Sequence, residues 1–264
     1  MRFLAGLVAI VAMFALSHTG LAVTFNWPTS PAFPTAPTAG NSASRFYSGL
    51  GTVTVTNVAD PSTGAGATWQ SGFPTVNNTT TNGGGNSNGL QFSVTNQSTV
   101  NSYVKVSINF AYTGGASGVS FTIWDVDYNS GQFRDKISNI VGIAPDGTLV
   151  AATVTNIGTG ATNTISGSGT FAATATGSST NDNGNNNGNV TISFGSAVIQ
   201  TVEFRWSDSN TTRNTQQIGI SPITFTPIGT ATPEIGSSFA ALVVCLGVVS
   251  YGRVRRRRQD SPAD

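Results

Sequence analysis

Charge is what this sequence has least of. Asp, Glu, Lys and Arg together supply 9% of its 264 residues, against roughly a quarter in an ordinary soluble domain. Histidine and cysteine occur once each, as His18 and Cys245. A Ser/His/Asp or Cys/His nucleophile, a zinc site of Cys and His, and a disulfide framework are therefore excluded. No stretch of the central body repeats its apolar residues at helical spacing, and the 31 glycines have no three-residue period, which removes collagen. Hydrophobic residues still make up 38%, with 15 Phe and 4 Trp. That is enough for a core, so wholesale disorder is excluded too.

The few charges are unevenly placed. Arg2 stands at one end, and Arg253, Arg255, Arg256, Arg257 and Arg258 at the other. Between Val23 and Thr232 six basic residues (Arg45, Lys105, Arg134, Lys136, Arg205, Arg213) meet eight acidic ones (Asp60, Asp125, Asp127, Asp135, Asp146, Asp182, Glu203, Asp208), a net charge of −2. Such a body cannot neutralise many phosphates, so a nucleic-acid partner is not expected.

Both ends read as addresses. Met1 and Arg2 precede an uninterrupted apolar run from Phe3 to Leu16, shorter than the roughly 20 residues of a membrane span. Gly20 and Ala22 then form a small-x-small cleavage site, which predicts a signal peptide over 1–22, read by signal peptidase, and a mature start at Val23. At the other end Pro233 and Glu234 precede a run without charge from Ile235 to Tyr251. As a helix rising about 1.5 Å per residue, it would cover roughly 25 Å, enough to span a thin bilayer. The arginines behind it belong on the cytoplasmic side, which puts the body outside and a short tail, 259–264, inside. Cys245, mid-run, reads as a small buried hydrophobe.

A Pro-Glu element, an apolar span and a terminal arginine cluster resemble the PEP-CTERM sorting signals of Gram-negative bacteria, with Ile235 standing where that family has its second proline. The resemblance covers about 27 residues, Thr232 to Arg258, within a predicted sorting signal over 229–258. It implies recognition and removal by an exosortase, and delivery to the cell surface or extracellular matrix. A permanent C-terminal membrane anchor is the alternative.

Between the ends, Pro28, Pro31, Pro34 and Pro37 recur every third residue, the repeat of polyproline II, and predict a linker over 23–44. From Arg45 onward apolar residues alternate with Thr, Ser and Asn: Val53 and Val55; Leu90, Phe92 and Val94; Val104, Val106 and Ile108; Val119, Phe121 and Ile123; Val190 and Ile192; Val202, Phe204 and Trp206. Period two means strands with one buried face. Eight to ten short strands over 45–228 predict an all-β fold, an antiparallel two-sheet sandwich of jelly-roll type, flanked by a signal helix and a C-terminal transmembrane helix. Two Asn/Gly/Ser/Thr tracts, Asn77 to Gly89 and Ser178 to Asn189, predict mobile surface loops.

One acidic cluster stands out. Asp125, Asp127 and Asn129 alternate beyond the strand Val119 to Ile123, and Gly131 lets the chain return so that Asp135 approaches them. Oxygen ligands on one loop suit calcium, although the glycine is one place late and the flanks are not the helices of an EF-hand. Salt bridging by Arg134 and Lys136 is the plainer reading of the same cluster. Trp124 and Trp206 are expected in the core, while Trp69 and Tyr128 are candidates for a sugar-stacking platform. Together these features predict an exported, non-enzymatic matrix or adhesion component, with polysaccharide as a possible ligand. The alternative is a secreted polysaccharide-active enzyme using Asp125 or Asp127.

Overall fold

The computed structural model describes residues 20–30, 32–77, 88–95, 101–158, 160–180, 185–210 and 214–232. The expected signal helix, Pro233 and Glu234, the run Ile235 to Tyr251 and the cluster Arg253, Arg255, Arg256, Arg257 and Arg258 lie outside the described residues, and among those described no helix is long and apolar enough to cross a membrane. The chain divides into two compact units, Met1–Thr230 and Ala231–Asp264; only Ala231 and Thr232 of the second are described.

The first unit is all-β, built from two antiparallel sheets. One sheet runs in the order β1 (Val23–Phe25), β18 (Ile223–Pro227), β8 (Ala116–Trp124), β17 (Gln216–Ile220), β6 (Gly89–Thr95) and β4 (Thr68–Trp69). β15 (Val190–Ser193) also pairs with β8, β12 (Thr153–Asn156) with β15, and β5 (Thr75–Asn77) with β6. The second sheet runs β13 (Asn163–Ser166), β14 (Thr174–Gly177), β10 (Phe133–Ile143), β16 (Thr201–Asp208), β7 (Tyr103–Phe110), β3 (Gly51–Val58) and β2 (Ser42–Tyr47). β9 (Tyr128–Asn129) and β11 (Leu149–Ala151) flank β10.

The strands outnumber the eight to ten expected because many, such as β4, β9 and β11, are two or three residues long. Pieces that short carry no readable alternation. The long strands obey it. In β3, β7 and β16 every second residue is buried, and Val53, Val55, Val104, Val106, Ile108, Val202, Phe204 and Trp206 face Val119, Phe121, Ile123, Ile192 and Phe225 of the other sheet. Phe110 and Phe225 meet at 5.1 Å between ring centroids, and Phe121 and Phe204 at 6.3 Å. Each such side chain contributes about 1.5–3 kcal/mol by leaving water. The outward positions hold hydroxyls that pair across strands in place of charges, as Ser42 with Thr56 and Ser44 with Thr54, each at 2.8 Å.

The stretch 23–44 is more than a linker. β1 pairs in register with β18, and Trp27 and Phe33 are buried in the core. Trp27 packs edge-on against Tyr47 and Phe25, and its Nε1 donates to the Ser221 carbonyl at 2.8 Å. Apolar aromatics between the prolines outweigh the extended-spacer preference of the proline repeat. Asn57 fixes this segment from inside the protein: its Nδ2 donates to the carbonyls of Pro37 and Ala67, while its Oδ1 accepts from the Ala67 amide. Replacing Asn57 with Ala strands three buried backbone groups. We expect a loss of about 2–4 kcal/mol in urea unfolding; a loss below about 1 kcal/mol would contradict this tethering role.

Candidate functional site

The aspartate cluster forms where β8 ends. Beyond Trp124, Asp125 adopts a left-handed conformation (φ 66°), and its amide donates to Asn189 Oδ1 at 3.2 Å. The Val126 amide donates to the Gly188 carbonyl at 2.7 Å. The end of the second Asn/Gly tract is thus built into the protein, with Asn189 buried, while 181–184 of that tract lie outside the described residues. Asp127 then runs against Asp135, whose amide donates to the Asp127 carbonyl at 2.9 Å. The hairpin closes through Gly131 (φ 70°), with Tyr128 opposite Arg134 and Asn129 opposite Phe133.

The fold therefore brings Asp125, Asp127 and Asp135 together, but not as a period-two row. The left-handed turn at Asp125 breaks the alternation that would have aligned it with Asp127 and Asn129, and Asn129 sits farther along the hairpin. All three aspartates are buried, at 9%, 6% and 0% exposure. Gly177 closes over the turn so tightly that a Cβ there would lie 1.8 Å from the Asp127 carbonyl oxygen. Both Asp135 oxygens accept hydrogen bonds, Oδ1 from Trp206 Nε1 at 2.8 Å and Oδ2 from the Asp127 amide at 3.4 Å. Among the described residues no three His, Cys, Asp or Glu side chains are grouped to hold a metal ion, so calcium stays an expectation of the sequence. Arg134 does not bridge Asp135; its guanidinium lies 4.3 Å from the centre of the Tyr128 ring.

The aromatic expectations divide. Trp124 and Trp206 are buried, Trp124 lying across Gly89 and Gly219, where a Cβ would come within 2.1 and 2.8 Å of its ring. Trp69 is half-buried against Phe92, and Tyr128 is half-buried beneath Arg134. Trp69 lines an open depression of about 510 Å³ with Pro37, Ala39 and Ala67, whereas Arg134 covers one face of Tyr128.

The outer face of the second sheet holds a feature the strand pattern alone did not disclose. Around Tyr103 on β7, Arg205 on β16, and Lys136 and Asn139 on β10 lies an open depression of about 280 Å³, floored by Thr174 and Ser207. A smaller one of about 90 Å³ adjoins it and shares Asn139 and Arg205. The Arg205 guanidinium stacks 4.3 Å from the centre of the Tyr103 ring, and Lys105 Nζ pairs with Glu203 Oε1 at 2.8 Å. Asn139 takes a left-handed conformation (φ 50°) in a β-bulge between Ser138 and Val141, an arrangement that re-aims side chains at a sheet surface. Asp208 borders the depression; its Oδ1 accepts from the amides of Arg134 and Asn210 at 3.0 and 2.7 Å. A sequence signal existed: in a chain so poor in charge, Lys105, Lys136, Glu203 and Arg205 all occupy outward strand positions. Their convergence follows from register, which alternation does not specify.

Burial raises the Asp135 carboxyl well above the ordinary carboxylate range; the neighbouring charges of Asp127 and Asp125 raise it further, and the hydrogen bond from Trp206 opposes them. Burial likewise raises Asp208. A carboxyl raised in the folded state keeps its proton there, while the unfolded chain releases it near pH 4. Its contribution to stability is complete below about pH 4 and is lost as pH rises towards the folded-state value. We expect stability to decline upward from pH 4, and Asp135→Asn, which keeps an acceptor for Trp206, to flatten that decline. Urea midpoints across pH 4–9 check this; parallel profiles for the two proteins would contradict it.

No family model matches this chain, and no curated protein matches it. Among solved structures it is similar, at 12% identity and a TM-score of 0.30, to a carbohydrate-binding module studied for specific mannan recognition, over 81% of this chain and 99% of that one.

Proposed function

We propose that the chain is an exported, non-enzymatic β-sandwich of jelly-roll type that serves as a matrix or adhesion component by binding polysaccharide at a bacterial cell surface. The observation that carries this reading is the outer face of the second sheet. It is open, rich in Thr, Ser and Asn, and carries a depression where an aromatic ring, hydroxyls, an amide and two cations are within reach of one ligand. With one face of the Tyr103 ring covered by Arg205, the match to a sugar lies in the neutral hydrogen-bonding groups, which suit its rim of hydroxyls. Export by signal peptidase, passage through the membrane and sorting by an exosortase rest on the sequence of the two ends.

The enzymatic alternative has less support. Glycoside hydrolysis needs two carboxyl groups flanking the scissile bond, and Asp125 and Asp127 lie buried beneath the turn that Gly177 closes. The full-length protein, mixed with the extracellular polymer of a Gram-negative biofilm, is expected to co-sediment with it and to stop doing so once periodate has opened the sugar diols. Co-sedimentation that survives periodate but not protease would move the partner to protein. Release of reducing ends by the wild type but not by Asp125→Asn would establish the enzyme.

A further inference from the structure

The depression on the second sheet is specific in its charge. Lys105 is neutralised by Glu203, but Lys136 and Arg205 have no acidic ion-pair partner among the described residues. In a body with a net charge of −2, two uncompensated cations bordering one cavity are a local inversion of sign. Asp208 also lines the depression, but its side chain is buried: Oδ1 accepts from the amides of Arg134 and Asn210, and Oδ2 is closed off from solvent.

The cations are also positioned. The Tyr103 ring, 4.3 Å from the Arg205 guanidinium, limits the rotamer freedom a ligand would have to quench. The bulge at Asn139 places an exposed amide between the two depressions, in a backbone conformation that non-glycine residues seldom adopt. Ser138, Thr174 and Ser207 add hydroxyls on the same surface. Among the described residues, none of the exposed large apolar side chains (Leu21, Val23, Leu149, Phe171, Val198) borders the depression, which disfavours a lipid surface.

We propose that this depression takes a carboxylated sugar of an acidic polysaccharide, with the carboxylate held by Arg205 and Lys136 and the ring hydroxyls by Asn139, Ser138, Thr174 and Ser207. The inference rests on the polysaccharide-binding reading above and adds the chemical class of the sugar and the residues that select it. Arg205 offers the planar fork that suits a carboxylate, and Lys136 a second positive charge.

Binding of the full-length protein to polygalacturonate, alginate and hyaluronate, each beside its methyl ester, tests this. The ester keeps the sugar and removes the charge. At least one free acid should bind, its ester should bind roughly tenfold more weakly, and salt should weaken the acid alone. Arg205→Gln and Lys136→Gln should each weaken binding to the acid roughly tenfold, with unchanged thermal melting to show that the fold is intact. Arg205→Lys should recover part of the loss. Equal binding to acid and ester would overturn the inference while leaving polysaccharide binding in place. Binding to no acidic polymer but to a neutral glucan would do the same, and binding to no polymer of either kind would overturn both. Retention on phosphatidylglycerol vesicles as strong as on the acids would point to a lipid surface and sink the proposal.

Discussion

Strand β10 lies against β16 in two registers, with Asp135 to Ser138 facing Asp208 to Arg205 and Val141 to Ile143 facing Glu203 to Thr201, and a bulge between them. The extra residue shifts the parity of the strand by one. Asp135 and Ile137 point inward before the bulge, and Ile140 and Gly142 after it. Without it, either Ile140 would face water or Asp135 would, and a one-residue slip of this kind costs the whole buried set of a strand segment. The bulge therefore lets one strand serve two ends: it carries an acid into the core against Trp206 and sets Lys136 and Asn139 on the opposite, open face.

The two faces differ in what their charged groups can do. On the inner side Asp135 is surrounded by protein, both oxygens occupied by Trp206 and the Asp127 amide. Burial holds it towards its protonated form, and the nearby turn is closed by the absence of a side chain at Gly177. This is the chemistry of a structural anchor, a polar lock that fixes the β9–β10 hairpin to β16. On the outer side Arg205, Lys136 and Tyr103 border open space. Charges there remain hydrated until a ligand displaces the water, and they can be spent on recognition rather than on the fold. The low overall charge of the chain makes these few half-buried ions more conspicuous.

Much of the fold was legible in the sequence because period-two alternation reports burial directly. The valines of β3, β7 and β16 fall where the pattern puts them, and Thr, Ser and Asn fill the hydroxyl-paired outer faces. Three things were not legible. The segment around Trp27 and Phe33 read as a spacer because proline spacing is local, whereas its burial against Tyr47 comes from distant strands. The aspartates read as one row because alternation assumes an extended backbone, and Asp125 leaves it. The depression could not be assembled from the outward charges alone, because Tyr103, Lys136 and Arg205 are brought together only by the pairing of β7, β16 and β10, which no single strand encodes.

The location of the ligand decides between the two faces most directly. A crystal structure of the protein with an acidic oligosaccharide, solved from a saturating soak, is predicted to place the sugar carboxylate against Arg205 and Lys136, beside Asn139. A sugar bound instead at the turn of Asp125 and Asp127, with the outer face of the second sheet empty, would contradict the account.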